Sequence, residues 1–101
     1  MKEINENELK QLKSEGKKIL LDLHGLWCGP CKILIPKLEN ISTEYNEIEF
    51  VKMDVDKNQD FAMSLGVRSI PTVIIYDGEN EIFRETGVQT EETYKKILNN
   101  L

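Results

Sequence analysis

Two cysteines stand three positions apart in Trp27-Cys28-Gly29-Pro30-Cys31, and the chain has no others. Such a pair can supply half of a metal site, staple a fold, or pass electrons by cycling between dithiol and disulfide. Zinc takes about four ligands, and beyond this pair the chain offers only one histidine, His24. An intramolecular zinc site therefore lacks its remaining ligands. A structural staple belongs to an oxidising compartment. Met1 to Lys10 mixes acids with lysines and has no apolar stretch of the signal-peptide kind. The expectation is a cytoplasmic setting, where thiols stay reduced and a cysteine pair works by redox cycling.

The spacing suits that work. Gly29 permits a tight turn, and Pro30 fits the first turn of a helix, where its missing N–H costs nothing. A helix opening inside the motif puts Cys28 at its N-terminus and Cys31 one turn on, along the same face. The Cα atoms then lie about 5 Å apart, within disulfide range. The free N–H groups of the helix end favour a thiolate at Cys28. Lowering a thiol from about 8.5 to about 7 raises its thiolate fraction at neutral pH about 16-fold, but lost nucleophilicity cuts the gain to about threefold. The larger advantage is proximity: once Cys28 is in a mixed disulfide, Cys31 sits beside it at high effective molarity.

The surrounding elements must hold this turn in place. Asn5 with Glu8 forms a capping-box pattern opening a short helix that Gly16 stops. Residues 18–23 are apolar and bounded by turn residues, which predicts a central strand. A helix is expected from about Gly29 to Tyr45, with Leu34, Leu38, Ile41 and Tyr45 on one stripe. Residues 48–53 predict a second strand, and Gln59–Leu65 a short helix ended by Gly66. Thr72–Tyr76 and Glu81–Glu85 read as a hairpin around Asp77-Gly78. Thr90 caps a last helix with Tyr94, Ile97, Leu98 and Leu101 on one face. Met1–Ile4 is expected as a short edge strand. The order (β)αβαβαββα implies right-handed crossovers, a parallel section of sheet and an antiparallel hairpin. The fold class is α/β, a mixed sheet with helices on both faces.

At 101 residues, 40% hydrophobic and 31% charged, the chain is expected to be one soluble domain spanning 1–101. A net charge of -5 without a basic cluster argues against nucleic acid as a partner. Ile19-Leu20-Leu21 is far too short to span a bilayer, so no membrane association is expected. No metal or tightly bound cofactor is implied.

The chain resembles the thioredoxin family over nearly its whole length. The resemblance rests on Leu21-Asp22-Leu23, Trp27-Cys28-Gly29-Pro30-Cys31-Lys32, Pro36, Val51 to Asp56, Gly66-Val67-Arg68-Ser69-Ile70-Pro71-Thr72, Asp77-Gly78 and Gly87. It implies a thioredoxin-like fold, with a central mixed sheet of four to five strands flanked by four helices. The Gly29-Pro30 pair is similar to that of the reducing members. By resemblance Cys28 attacks a substrate disulfide, Cys31 resolves the mixed disulfide, and Asp22 relays a proton to or from Cys31. Pro71 resembles the cis-proline beside the cysteines, and Ile70 would offer its backbone to a bound segment. Trp27, Gly29, Pro30, Ile70, Pro71 and Gly87 together form the expected substrate surface. The implied partners are disulfide-containing proteins and a thioredoxin reductase, met by a monomer.

Several of these residues also admit plainer readings. Asp22, in an apolar strand, is either a proton-moving carboxyl of raised pKa or a surface residue at a strand end. Lys52 is either its charge partner or a snorkelling edge lysine. The residues alone favour a trans bond before Pro71, and only the resemblance reverses that. Pro36 should kink the long helix, aiming its first turn or merely being tolerated. Trp27 is an anchor for the loop or part of an apolar rim, and Gly78 and Gly87 are turn formers. His24-Gly25 departs from the family, whose members usually carry a bulky aromatic and a small residue there. By strand alternation His24 points to the side of Asp22, where it would adjust the cysteines' proton equilibrium; the alternative is solvation in a loop. Two rival functions stand beside reduction: a binding module whose thiols are incidental, and an oxidant or isomerase.

Overall fold

The computed structural model describes residues 1–101. Its elements are β1 (Lys2–Glu3), α1 (Glu6–Ser14), β2 (Lys18–His24), α2 (Gly29–Ser42), β3 (Ile48–Asp54), a 3₁₀ turn (Val55–Lys57), α3 (Gln59–Ser64), β4 (Thr72–Asp77), β5 (Asn80–Thr86) and α4 (Glu91–Leu98). The five strands make one sheet in the order β1-β3-β2-β4-β5. β1, β3 and β2 run parallel, and β4 and β5 complete it antiparallel. This is the expected mixed sheet. No helix is long and apolar enough to cross a membrane.

Strand alternation divides the core in two. Leu20, Phe50, Val73 and Ile75 face α2 and α4, against Leu34, Leu38, Ile41, Tyr94 and Leu98. Ile19, Leu21, Leu23, Val51, Met53 and Ile74 face the other way, against Leu9 of α1, with Phe61 and Leu65 around α3. The central β2 is therefore buried from Ile19 to His24, as a strand covered on both faces must be.

Helix α2 ends at Ser42, three residues short of the expected Tyr45. The Ser42 hydroxyl donates to the Glu39 carbonyl at 2.6 Å and the Thr43 hydroxyl to the Asn40 carbonyl at 2.8 Å. Such local bonds compete with helix continuation. Tyr45 keeps its place in the core regardless, its hydroxyl 2.7 Å from Asn99 Oδ1. Pro36 lies inside α2 and withholds one N–H from the carbonyl four residues earlier. The β4–β5 hairpin pairs Asp77 with Asn80, and its turn uses the positive φ of Gly78, 60°.

The capping box of α1 is complete: the Glu8 N–H donates to Asn5 Oδ1 at 2.9 Å, and the Asn5 N–H to Glu8 Oε1 at 3.1 Å. Replacing Asn5 by Ala is expected to lower stability by about 1 kcal/mol, measured as a reduced urea midpoint at unchanged slope.

Candidate active site

The cysteines sit where β2 hands the chain to α2. Cys28 is the N-cap of the helix, its sulfur accepting the Cys31 N–H at 3.2 Å, and Pro30 occupies the first turn. The two cysteines form a disulfide with Cα atoms 5.2 Å apart, the spacing expected of positions i and i+3. Their surroundings differ. Cys31 is 1% exposed, on the stripe Cys31–Leu34–Leu38–Ile41 that faces the sheet. Cys28 is half-buried and lines an open groove of about 410 Å³ with Gly25, Trp27, Gly29, Pro30, Asp56 and Ile70. One sulfur meets the outside while the other is sealed beneath it.

The groove gathers most of the expected substrate surface. Trp27 is 93% exposed and so belongs to the rim, not to an anchor under the loop. Leu26 and Ile33, also exposed, extend the apolar surround. The Ile70–Pro71 bond is cis, and Pro71 is buried. Gly87 does not line the groove; its N–H donates to the Pro71 carbonyl at 2.8 Å, at a φ of 89° that suits glycine. It ties β5 to the proline loop. Sequence reasoning passed over Asp56, brought to the groove by the turn after β3, where the Asp56 N–H donates to Asp54 Oδ1 at 2.8 Å. It also passed over the contact of Gly25 with Ile70, whose Cδ1 would lie 2.8 Å from a Cβ at position 25. Both arise from long-range packing.

Asp22 is fully buried in mid-β2, and neither carboxylate oxygen has a hydrogen-bond partner. A strand-end surface position is thereby ruled out. Burial pushes its carboxyl up from an ordinary 3.8 to about 6, against the pull of His24 and then Lys52. A carboxyl in that range gains and loses a proton near neutrality. Lys52 stands opposite Asp22 in the β2–β3 register. It attracts the carboxylate from there without bonding to it, so the expected partnership is an electrostatic one across the strands.

His24 is the last residue of β2 and only 5% exposed, which corrects the reading of a solvated loop residue. β2 runs one residue beyond the expected 18–23, and β1 brings Glu3 across, its Oε1 3.0 Å from His24 Nε2. The other carboxylate oxygen of Glu3 accepts the Asp54 N–H at 2.8 Å.

A second cleft, about 310 Å³ between α1 and the β1–β3 edge, is lined by Lys2, Ile4, Leu12 and Phe50 among others and holds no thiol. The chemistry is at the Cys28 groove.

Comparison with known proteins agrees with this geometry. The profile of the family described as Thioredoxin matches residues 1–100. A thioredoxin of Mycoplasmoides gallisepticum is 38% identical over 94 residues, spanning 93% of this chain and 94% of the relative. One from Listeria monocytogenes is 38% identical over 100 residues, spanning 98% and 96%. The crystal structure of Fasciola hepatica thioredoxin superposes with a TM-score of 0.88 at 31% identity, covering 99% of this chain and 98% of that one.

Proposed function

The chain belongs to the thioredoxin family of thiol–disulfide oxidoreductases, and from that premise we propose that it is a general protein-disulfide reductase of the cytoplasm. The observation that carries the reading is the asymmetry of the pair, with Cys28 open to the groove and Cys31 sealed under it. Cys28 attacks a sulfur of the substrate disulfide; the substrate S–S bond breaks and one substrate thiolate leaves. Cys31 gives its proton to the Asp22 carboxylate and attacks the Cys28 sulfur. The second substrate thiolate leaves, and the Cys28–Cys31 disulfide carries the two electrons' worth of oxidation. Lys52 assists by keeping Asp22 ionisable between turnovers.

A shallow groove whose one acidic lining residue is Asp56 supports broad substrate choice. Trp27, Gly29, Pro30 and Ile70 meet the substrate there, and Pro71 and Gly87 hold the Ile70 loop against the cysteines. Reduction in this direction requires surroundings that keep thiols reduced, and on that ground we assign the cytoplasm. A thioredoxin reductase returns the electrons, and the protein acts as a monomer whose apolar rim is left for its substrates. The test is catalysed reduction of a disulfide-bonded protein by dithiothreitol. Catalysis by the chain that is lost in Cys28→Ser supports the reading; equal rates with and without the chain contradict it and leave the binding module.

The groove makes a further prediction. A methyl group at position 25 would run into Ile70 Cδ1, the far end of a flexible side chain, so Ile70 must shift while the fold holds. Gly25→Ala should raise KM for a protein disulfide by about tenfold, the scale of one misplaced methyl in a pocket. Since the reacting sulfurs are untouched, kcat should change by less than about twofold. Steady-state kinetics at varied substrate separates the two.

A further inference from the structure

The face of the sheet beneath α2 carries a charged cluster of which the reductase reading uses only Asp22 and Lys52. β1, β3 and β2 align Glu3 with Lys52 and Lys52 with Asp22 at one level, and Asp54 with His24 at the next. Alternation puts Asp22 and His24 on the same face, two residues apart. This face is covered by α2, whose sheet-side stripe begins with Cys31, and by α4, which brings Tyr94. β4 faces Asp22 with Val73, and beyond it β5 sets Glu85 on the same face. In this cluster Asp22 has no hydrogen-bond partner, whereas His24 is buried and held by Glu3 at 3.0 Å. Glu3 is itself fixed by the Asp54 N–H. The imidazole therefore has a defined place beside Asp22.

We propose that His24, gripped by Glu3, is a positioning residue for the resolving step: its protonation state sets how readily Asp22 holds or releases the proton it exchanges with Cys31. The inference rests on the Asp22 relay described above. When Cys31 gives up its proton and attacks Cys28, that proton lodges on Asp22, and it must leave before Asp22 can act again. An imidazolium favours the ionised carboxylate and so the departure of the proton. A neutral imidazole leaves the carboxyl protonated to higher pH. The charge of Glu3 opposes ionisation of Asp22, and Lys52 acts in the same sense as an imidazolium.

The carboxyl-carbon NMR signal of Asp22 in the reduced protein reads this directly. In the unaltered chain it should shift in two steps, one coinciding with titration of the His24 ring. In His24→Gln, which keeps a donor for Glu3 but never charges, one step should remain, moved up by about half a pH unit or more. The pH profile of resolution should move the same way, followed with an aromatic disulfide that frees one coloured thiol at attack and another when Cys31 resolves. An Asp22 signal blind to the His24 ring, or unmoved in His24→Gln, overturns the proposal. The first of these needs no variant and stands even if His24→Gln does not fold. Asp22→Asn separates the two layers. If it flattens the resolution profile while His24→Gln leaves that profile in place, the relay survives and the role of His24 falls. If it leaves the profile intact, the relay itself falls and the role of His24 with it.

Discussion

Cys31→Ser is expected to stop the reaction at the mixed disulfide, with Cys28 covalently joined to its substrate. Attack needs only Cys28, at the helix N-cap and open to the groove, so the first step should proceed. Resolution then lacks the thiol that the first turn of α2 holds at a Cα separation of 5.2 Å. A group so held acts at an effective concentration of about 10⁵ M or more, against millimolar thiol in solution. Turnover should therefore fall by about a thousandfold or more, limited by external thiol. Mass spectrometry should find one substrate thiol added per chain, at Cys28 and released by dithiothreitol. Cys28→Ser should give no adduct, since Cys31 is 1% exposed and cannot reach a protein disulfide. Adducts on Cys31 in that variant would reverse the two roles.

Asp22→Asn should make the protein more stable at pH 8 and less active at neutrality. The Asp22 carboxyl is raised by burial from 3.8 to about 6 in the folded state. The folded chain therefore binds more protons than the unfolded chain between these values. Its stability contribution is greatest below the unfolded value and is lost as pH rises through about 6. The gap corresponds to about 3 kcal/mol of destabilisation once the carboxyl is ionised. A neutral amide of the same shape does not suffer it. Urea unfolding of the oxidised variant should show a gain of about 3 kcal/mol at pH 8 and little difference at pH 4. A stabilisation of equal size at both pH values would show that shape, not ionisation, is responsible. The same substitution removes the base for Cys31, and resolution should slow by about a hundredfold at pH 7. Asp22 thus exchanges stability for a proton held where the resolving thiol needs it.

Much of this was legible in the chain because the informative signals are local. The apolar run of β2, the Leu34–Leu38–Ile41 stripe, the Asn5–Glu8 cap and the Asp77-Gly78 turn each show within a few residues, and each element formed. The Cys28–Cys31 spacing is local too, and it alone predicted the disulfide geometry that is observed. Residues whose meaning depends on other strands were harder to read. Asp22 stayed ambiguous because only the pairing with β3 and β4 and the cover from α2 make it buried. The isomer before Pro71 came from family resemblance, since the local preference is trans. His24 looked solvated because its partner, Glu3, lies 21 residues earlier on an edge strand of two residues. The close approach of Ile70 to Gly25 has no sequence signature at all.

The most direct test of the central claim is the equilibrium of the Cys28–Cys31 pair in redox buffers. It can be followed by fluorescence of Trp27, the only tryptophan, and checked by counting free thiols. The account predicts a single two-electron transition in dithiothreitol buffers, at a potential more reducing than that of the glutathione pool. A transition within oxidising glutathione buffers would contradict it and make the protein an oxidant or isomerase.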